Sequence, residues 1–232
     1  MTIALIPVKR LEQSKSRLLP ELADAARQAL TLAMLEDLID ALAGAGCIDR
    51  IAVTTPDPLV AARARAAGAE VLMRPEPGLN AALEDAAVRL APAEGEALVV
   101  VLGDVAGALP EDFRRLVAAA GAGGPSGAGD PDGSSKAGVW LAPSADGGTS
   151  ALLLRPARAI PFCFGPASAA RHREAACAAG VAYHELALAS LAIDLDQPED
   201  LAAFLATSGG GARTRALLGP LRTTNPPERS AP

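Results

Sequence analysis

The chain has 232 residues, half of them hydrophobic and 21% charged, with a net charge of −6 and an isoelectric point near 5.0. That content builds a sizeable core, rules out wholesale disorder, and gives no overall field for nucleic acid or an anionic membrane. One Trp, one Tyr and four Phe leave no aromatic platform for single-stranded nucleic acid, so an anionic ligand must be held by a local cluster of cations.

Thr2 to Val8 is a short apolar run of the kind buried on both faces of a parallel sheet. The loop Lys9 to Ser16 follows, and Glu21 to Ala43 then reads as a long helix, with Leu22, Leu30, Met34, Leu38 and Leu42 at three- to four-residue spacing. Gly44 and Gly46 end it. Strands are predicted over 50–55, 70–73 and 97–102, and helices over 57–67, 80–90 and 110–120. Residues 121–138 are rich in Gly, Ser, Pro and Asp and read as a flexible insertion. Strands over 138–142 and 151–154 flank Asp146-Gly-Gly-Thr149. A helix over 166–180, a strand over 181–186 and a helix over 198–206 complete the ordered part. The expected division is one domain over 1–207 and a disordered tail over 208–232. Strands alternating with helices imply a three-layer α/β/α fold with a mostly parallel, doubly wound sheet, whose ligands bind beyond the carboxyl ends of the strands.

Cys47, Cys163 and Cys177 are odd in number and far apart, which suits neither a disulfide framework nor a zinc site and fits a cytoplasmic setting. No secretory signal is expected from Met1 to Arg10, and no run approaches the roughly 20 apolar residues of a membrane span.

Lys9, Arg10, Lys15 and Arg17 fall within nine residues after the first strand. Such a cluster suits a polyphosphate, although a solvated basic loop has the same composition. Asp104 ends the strand Ala97–Leu102 after Gly103, where a carboxylate serves either a divalent metal or a turn. Asp146-Gly-Gly-Thr149 reads as a hairpin turn or as backbone that approaches an anion. Ser168 sits at a helix start, with His172 one turn on. Asp194 and Asp196 share a face in strand geometry; Asp196 also suits the N-cap of the helix that Pro198 opens. Asn80 either caps a helix or bonds a base or ribose.

In order, Ile6-Pro-Val-Lys-Arg-Leu11, Ser14-Lys-Ser-Arg-Leu18, Pro77-Gly-Leu-Asn80, Gly103-Asp104, Asp146-Gly-Gly-Thr149, Phe164-Gly-Pro-Ala-Ser168 with His172, and Asp194-Leu-Asp-Gln-Pro-Glu-Asp-Leu201 resemble the 2-phospho-L-lactate guanylyltransferase family. Its bacterial members include phosphoenolpyruvate and 3-phospho-D-glycerate guanylyltransferases. The resemblance runs from about residue 3 to residue 206. It implies a GT-A-like nucleotidyltransferase fold and transfer of GMP from GTP to the phosphate of a three-carbon acid (phosphoenolpyruvate, 3-phospho-D-glycerate or 2-phospho-L-lactate), with pyrophosphate released. It implies Mg²⁺ as cofactor, a product that feeds assembly of the deazaflavin coenzyme F-420, and a downstream enzyme as partner.

The implied site has Lys15, Arg17 and Asp104 in catalysis, and Lys9, Gly78 and Asn80 at the nucleotide. Thr149, Gly165 and Ser168 fall at the acid, and Asp104, Asp194 and Asp196 at the metal. No nucleic acid or membrane partner is expected, and a homodimer is left open. Two departures stand out. Ser150 replaces the family's usual Asn, which is expected to alter the acid pocket. Val105-Ala106-Gly107 replaces the usual Leu-Pro after the strand-end aspartate, which is expected to loosen the metal loop. The alternatives are a molybdopterin or sugar-phosphate nucleotidyltransferase, against which the Gly-free, cation-rich first loop counts, and a GTP-binding protein without transfer activity.

Overall fold

The computed structural model describes residues 1–15, 22–75, 78–121 and 137–219. The strands are β1 (Thr2–Pro7), β2 (Arg50–Thr55), β3 (Glu70–Met73), β4 (Ala97–Val101), β5 (Gly138–Pro143), β6 (Thr149–Arg155) and β7 (Ala182–Glu185). The helices are α1 (Asp24–Ala45), α2 (Pro58–Ala66), α3 (Leu79–Leu90), α4 (Pro110–Gly121), α5 (Ser168–Ala179), α6 (Pro198–Ala206) and α7 (Ala212–Leu218). Seven strands form one sheet in the order β3-β2-β1-β4-β6-β5-β7. β1 pairs in parallel with β2 and β4, β2 with β3, and β5 with β7, while β6 runs against both β4 and β5. The sheet is therefore mixed, and mostly parallel as the element alternation predicts. The exception follows from Ser144–Gly148, a tight turn in which the Ser144 N–H donates to the Gly148 carbonyl and the Gly147 N–H to the Ser144 carbonyl, and which reverses the chain between β5 and β6.

The pleat sends alternate residues of each strand to opposite faces, and both faces are covered. Ala4, Ile6, Val53, Val99 and Val101 face Leu35, Leu38, Leu42, Phe113 and Leu116 of α1 and α4. Ile3, Leu5, Ala52, Leu98 and Val100 face Leu83, Ala86 and Leu90 of α3, with Phe162 and Phe164 beside them. Each fully buried Leu or Val side chain contributes about 1.5–3 kcal/mol relative to exposure, so the continuous apolar runs of β1 and β4 fix the centre of the sheet. A third cluster, Leu22, Leu30, Met34, Ala106, Leu195, Phe204 and Leu218, joins α1 to α6 and α7.

Residues 122–136, most of the expected insertion, and residues 220–232 lie outside the described residues. The expectation of an unstructured tail from Ser208 is corrected: α7 forms within it, with Thr214 and Leu218 buried. No helix among the described residues is long and apolar enough to cross a membrane.

Candidate active site

The parallel strands β1, β2 and β4 all end at the same edge of the sheet, and a cleft of about 320 Å³ opens there. Its lining includes the strand-end residues Pro7, Val8, Leu102 and Gly103, the polar residues Lys9, Ser14, Lys15, Asp104 and Asp196, and Thr54, Thr55, Arg74, Gly78, Leu79 and Ala82. Gly103 permits close approach of the two central strand ends, because a Cβ there would lie 3.3 Å from the Pro7 carbonyl oxygen.

The loop after β1 is fastened twice. Asp57 accepts the N–H of Leu11 at 3.0 Å, and its other oxygen caps α2 through the N–H groups of Leu59 and Val60. Burial works against the charge, but those three N–H groups hold the Asp57 carboxyl below its ordinary range. Arg27, buried on α1, donates to the Ser14 carbonyl at 2.7 Å. Directly after the second anchor Lys15 adopts φ 55°, a left-handed backbone that a non-glycine residue occupies at roughly 1–2 kcal/mol. That turn buries the Lys15 side chain and sets its ammonium 3.1 Å from Asp196 Oδ1 and 3.9 Å from Asp104 Oδ2.

The two acidic segments are laced together. Val105 pairs with Asp194 as an antiparallel bridge, and the Leu195 N–H donates to the Asp104 carbonyl at 3.2 Å. Burial raises the Asp194 carboxyl above its ordinary value, and the neighbouring Asp104 charge raises it further. Asp104 Oδ1 is buried without a hydrogen-bond partner among the described residues. The expected capping role of Asp196 is corrected: Gln197 is the N-cap of α6, and Asp200 closes the box by accepting from the N–H groups of Asp196 and Gln197. The Asp196 side chain meets Lys15. Val105, Ala106 and Ala108, in the loop after Asp104, are all buried. Among the described residues no group of three or more His, Cys, Asp or Glu is arranged to hold a metal alone.

A second constellation lies beside the cleft. Asn80, on the second residue of α3, donates to the Phe164 carbonyl at 3.0 Å and accepts the Phe164 N–H at 2.8 Å. Asn80 thus neither caps α3, whose N-cap is Gly78 at φ 92°, nor keeps that face of its amide for a base. It ties the Phe164–Gly165 turn to the cleft wall, and Gly165 takes φ 127°, which favours glycine. Beyond the turn, Ser168 donates to Thr149 Oγ1 at 2.9 Å, and His172 Nδ1 lies 3.2 Å from the same oxygen. The Cys163 N–H donates to His172 Nε2 at 3.0 Å, so Nε2 is unprotonated and the ring proton sits on Nδ1. Thr149 Oγ1 then accepts twice, which leaves its own proton for another acceptor. Desolvation by burial, then the charge of Arg171, lowers the His172 pKa to about 4.

The structure brings Lys9, Lys15, Gly78, Asp104 and Asp196 to one cleft, with Asp194 bridged to it. It joins Thr149 to Ser168, and places Gly165 in the turn before Ser168. Arg17 lies outside the described residues. The hydroxyl of Ser150, the residue that departs from the family pattern, is buried without a partner among the described residues, as is that of Thr54. Sequence reasoning missed Thr54, Thr55 and Arg74. The signal was present: polar residues ending a buried parallel strand face the ligand edge as Asp104 does.

A family model described as guanylyl transferase, CofC-like, matches residues 2–232. The chain belongs to this guanylyl transferase family. It is 41% identical over 212 residues to the phosphoenolpyruvate guanylyltransferase of Rubrobacter xylanophilus, covering 91% of this chain and 97% of that protein. It is 37% identical over 232 residues to the 3-phospho-D-glycerate guanylyltransferase of Phenylobacterium zucineum, covering 96% and 98%. Among solved structures it is similar to a protein described as a nucleotide-diphospho-sugar transferase from Desulfovibrio desulfuricans, with a TM-score of 0.72 at 16% identity over 96% of this chain and 97% of that one. A nucleotidyl transferase from Methanothermobacter gives a TM-score of 0.60 at 17% identity, covering 90% and 99%. The guanylyl transferase is thus an enzyme on a nucleotidyltransferase α/β fold, and the cleft at the strand ends is its candidate active site.

Proposed function

We propose that this guanylyl transferase moves GMP from GTP onto the phosphate of a three-carbon phospho-acid of the phosphoenolpyruvate or 3-phosphoglycerate kind, in the route to the deazaflavin coenzyme F-420. The observation that carries the reading is the buried Lys15 ammonium at the mouth of the strand-end cleft, set between Asp104 and Asp196. An oxygen of the acid's phosphate attacks the α-phosphorus of GTP. A phosphoanhydride bond forms, the bond to the β-phosphate oxygen breaks, and pyrophosphate leaves with that electron pair. A phosphate monoester has its second pKa at about 6, so the attacking oxygen is already ionised and needs no general base. The histidines agree with this. His172 has both ring nitrogens committed, and His184 stacks on Trp140 with ring centroids 5.5 Å apart.

The acidic groups fit a divalent cation. Asp104 Oδ1 is a buried acceptor without a partner, and it lies beside the Asp194 carboxyl that its charge perturbs. Mg²⁺ typically takes one or two carboxylates and completes its shell with phosphate oxygens and water. Asp104 and Asp194, with Asp196 adjoining, would hold it, and when bound it would supply positive charge to the triphosphate. Lys15 and Lys9 add positive charge, Arg17 is a further cation of the same sequence segment, and Gly78 lets the backbone approach the nucleotide. The uncommitted Thr149 proton, with Gly165 and Ser168, serves the acid.

The test is pyrophosphate release with GTP and Mg²⁺, each acid offered separately and a downstream enzyme present to draw off the product. Release with one of these acids is expected. Binding of GTP without release with any acid would overturn the reading. Thr149→Val removes the hydrogen bond to the charged ligand, about 1.5–3 kcal/mol, together with the two that Thr149 Oγ1 accepts from Ser168 and His172. The expected result is a roughly tenfold or greater rise in KM for the acid with little change for GTP. An equal rise for both would sink the acid assignment.

A further inference from the structure

The acidic segments rest on a piece of chain that the sequence reading left outside the domain. Leu195 stands between Asp194 and Asp196, and Ala106 follows Asp104 by two residues. Both belong to the third apolar cluster, with Phe204 of α6 and Leu218 of α7. Gly209–Gly211 runs directly against Ala106–Ala108. A Cβ on Gly210 would lie 2.3 Å from the Ala108 carbonyl oxygen, and one on Gly211 2.4 Å from that of Ala106. Gly211 also takes φ 80°, so nothing larger fits without a shift of the loop it touches. The far end of the segment is locked to α1. The Thr214 N–H and hydroxyl each donate to Asp37 Oδ2 at 2.8 Å, and the Arg213 N–H donates to Asp37 Oδ1 at 3.1 Å. Arg215 closes the near end: its Nε donates to the Gly210 carbonyl at 2.9 Å, and its guanidinium lies 4.2 Å above the Phe204 ring.

We infer that Gly209–Leu218 is a positioning element for the reaction. It is latched through Asp37 and Thr214, and it sets the Asp104 loop against the Asp194–Asp196 segment so that their carboxylates converge. The inference deepens the proposed function, and it rests on the reading of those carboxylates as the cation site. Gly211 and Thr214 touch neither substrate nor cation; they act through the backbone of Ala106 and through Asp37.

The test compares Gly211→Ala, Thr214→Val and Thr214→Ser in the full chain. Four quantities are read: kcat per folded molecule, KM for the acid, the Mg²⁺ concentration for half-maximal rate, and the urea unfolding midpoint. Gly211→Ala is expected to lower kcat about tenfold and to raise the Mg²⁺ requirement several-fold at unchanged KM for the acid. Thr214→Val is expected to shift both in the same direction, and Thr214→Ser to restore them. A purely structural segment would move the urea midpoint and leave kcat and the Mg²⁺ requirement of the folded fraction unchanged, which overturns the inference. Mn²⁺ binding in the presence of GTP, read by water-proton relaxation, separates the two proposals. A wild-type chain that binds Mn²⁺ but transfers nothing would refute the function alone. Equal Mn²⁺ affinity in wild type and Gly211→Ala would refute the latch.

Discussion

Asp104→Asn is expected to lower the rate of guanylyl transfer by about a hundredfold, on the order of 3 kcal/mol of barrier, and to leave the protein folded. The substitution keeps the shape of the side chain and removes its charge. Folding tolerates the change because Asp104 is under repulsion as it stands. Its charge helps to raise the Asp194 carboxyl, and its buried Oδ1 has no partner among the described residues. Neutralising it relieves that repulsion, and Lys15 keeps its closer partner, Asp196 at 3.1 Å. Catalysis does not tolerate it. Two anions must meet at the α-phosphorus, and charge fixed in place before the reaction is the main means of bringing them together. The measurements are kcat at saturating Mg²⁺, GTP affinity and the urea midpoint. Near-normal turnover in a folded variant would remove Asp104 from the site. A fall in the urea midpoint comparable to the loss of activity would make its role structural.

The parts of the site that could be read in the sequence are those set by strand ends. β1 and β4 are continuous apolar runs because both faces of the sheet are covered, so the first polar residues after them, Lys9 and Asp104, fall at the ligand edge. The Asp-Gly-Gly turn was legible for a similar local reason: Asp146 Oδ1 accepts the Gly148 N–H at 2.9 Å, and a Cβ at Gly148 would clash with Ser144. What could not be read depends on partners far away in the chain. Asn80 meets Phe164 across 84 residues, and nothing in either segment announces the pair. Lys15 is one cation among four until Arg27 and Asp57 fix the loop and fold it inward. α7 buries only Thr214 and Leu218, too few residues for an apolar period, and Thr214 is held by a carboxylate 177 residues away. Composition alone therefore read Ser208 onward as tail, although its glycines are required by contact with Ala106–Ala108.

The second large effect concerns stability against acid. Neutral His172 accepts from the Cys163 N–H, and a protonated ring would turn a second donor toward that N–H inside the core. The folded pKa of about 4 lies below the ordinary 6.5. Between those values the unfolded chain binds a proton that the folded chain does not, so stability falls as pH falls. The contribution is fully present above about pH 6.5 and declines by up to about 1.4 kcal/mol per pH unit toward pH 4, where it levels off after a loss on the order of 3 kcal/mol. Carboxylates also titrate in this window, so the decisive quantity is a difference between proteins. His172→Gln cannot titrate and keeps an amide able to bond, at some cost in packing. It is expected to start less stable than wild type at pH 8 and to lose less stability as pH falls, so the two unfolding free energies converge toward pH 4.5. Urea titrations across that range read both curves. Parallel curves would mean that His172 protonates without cost, and its Nε2 would then not be held as an acceptor by the Cys163 N–H.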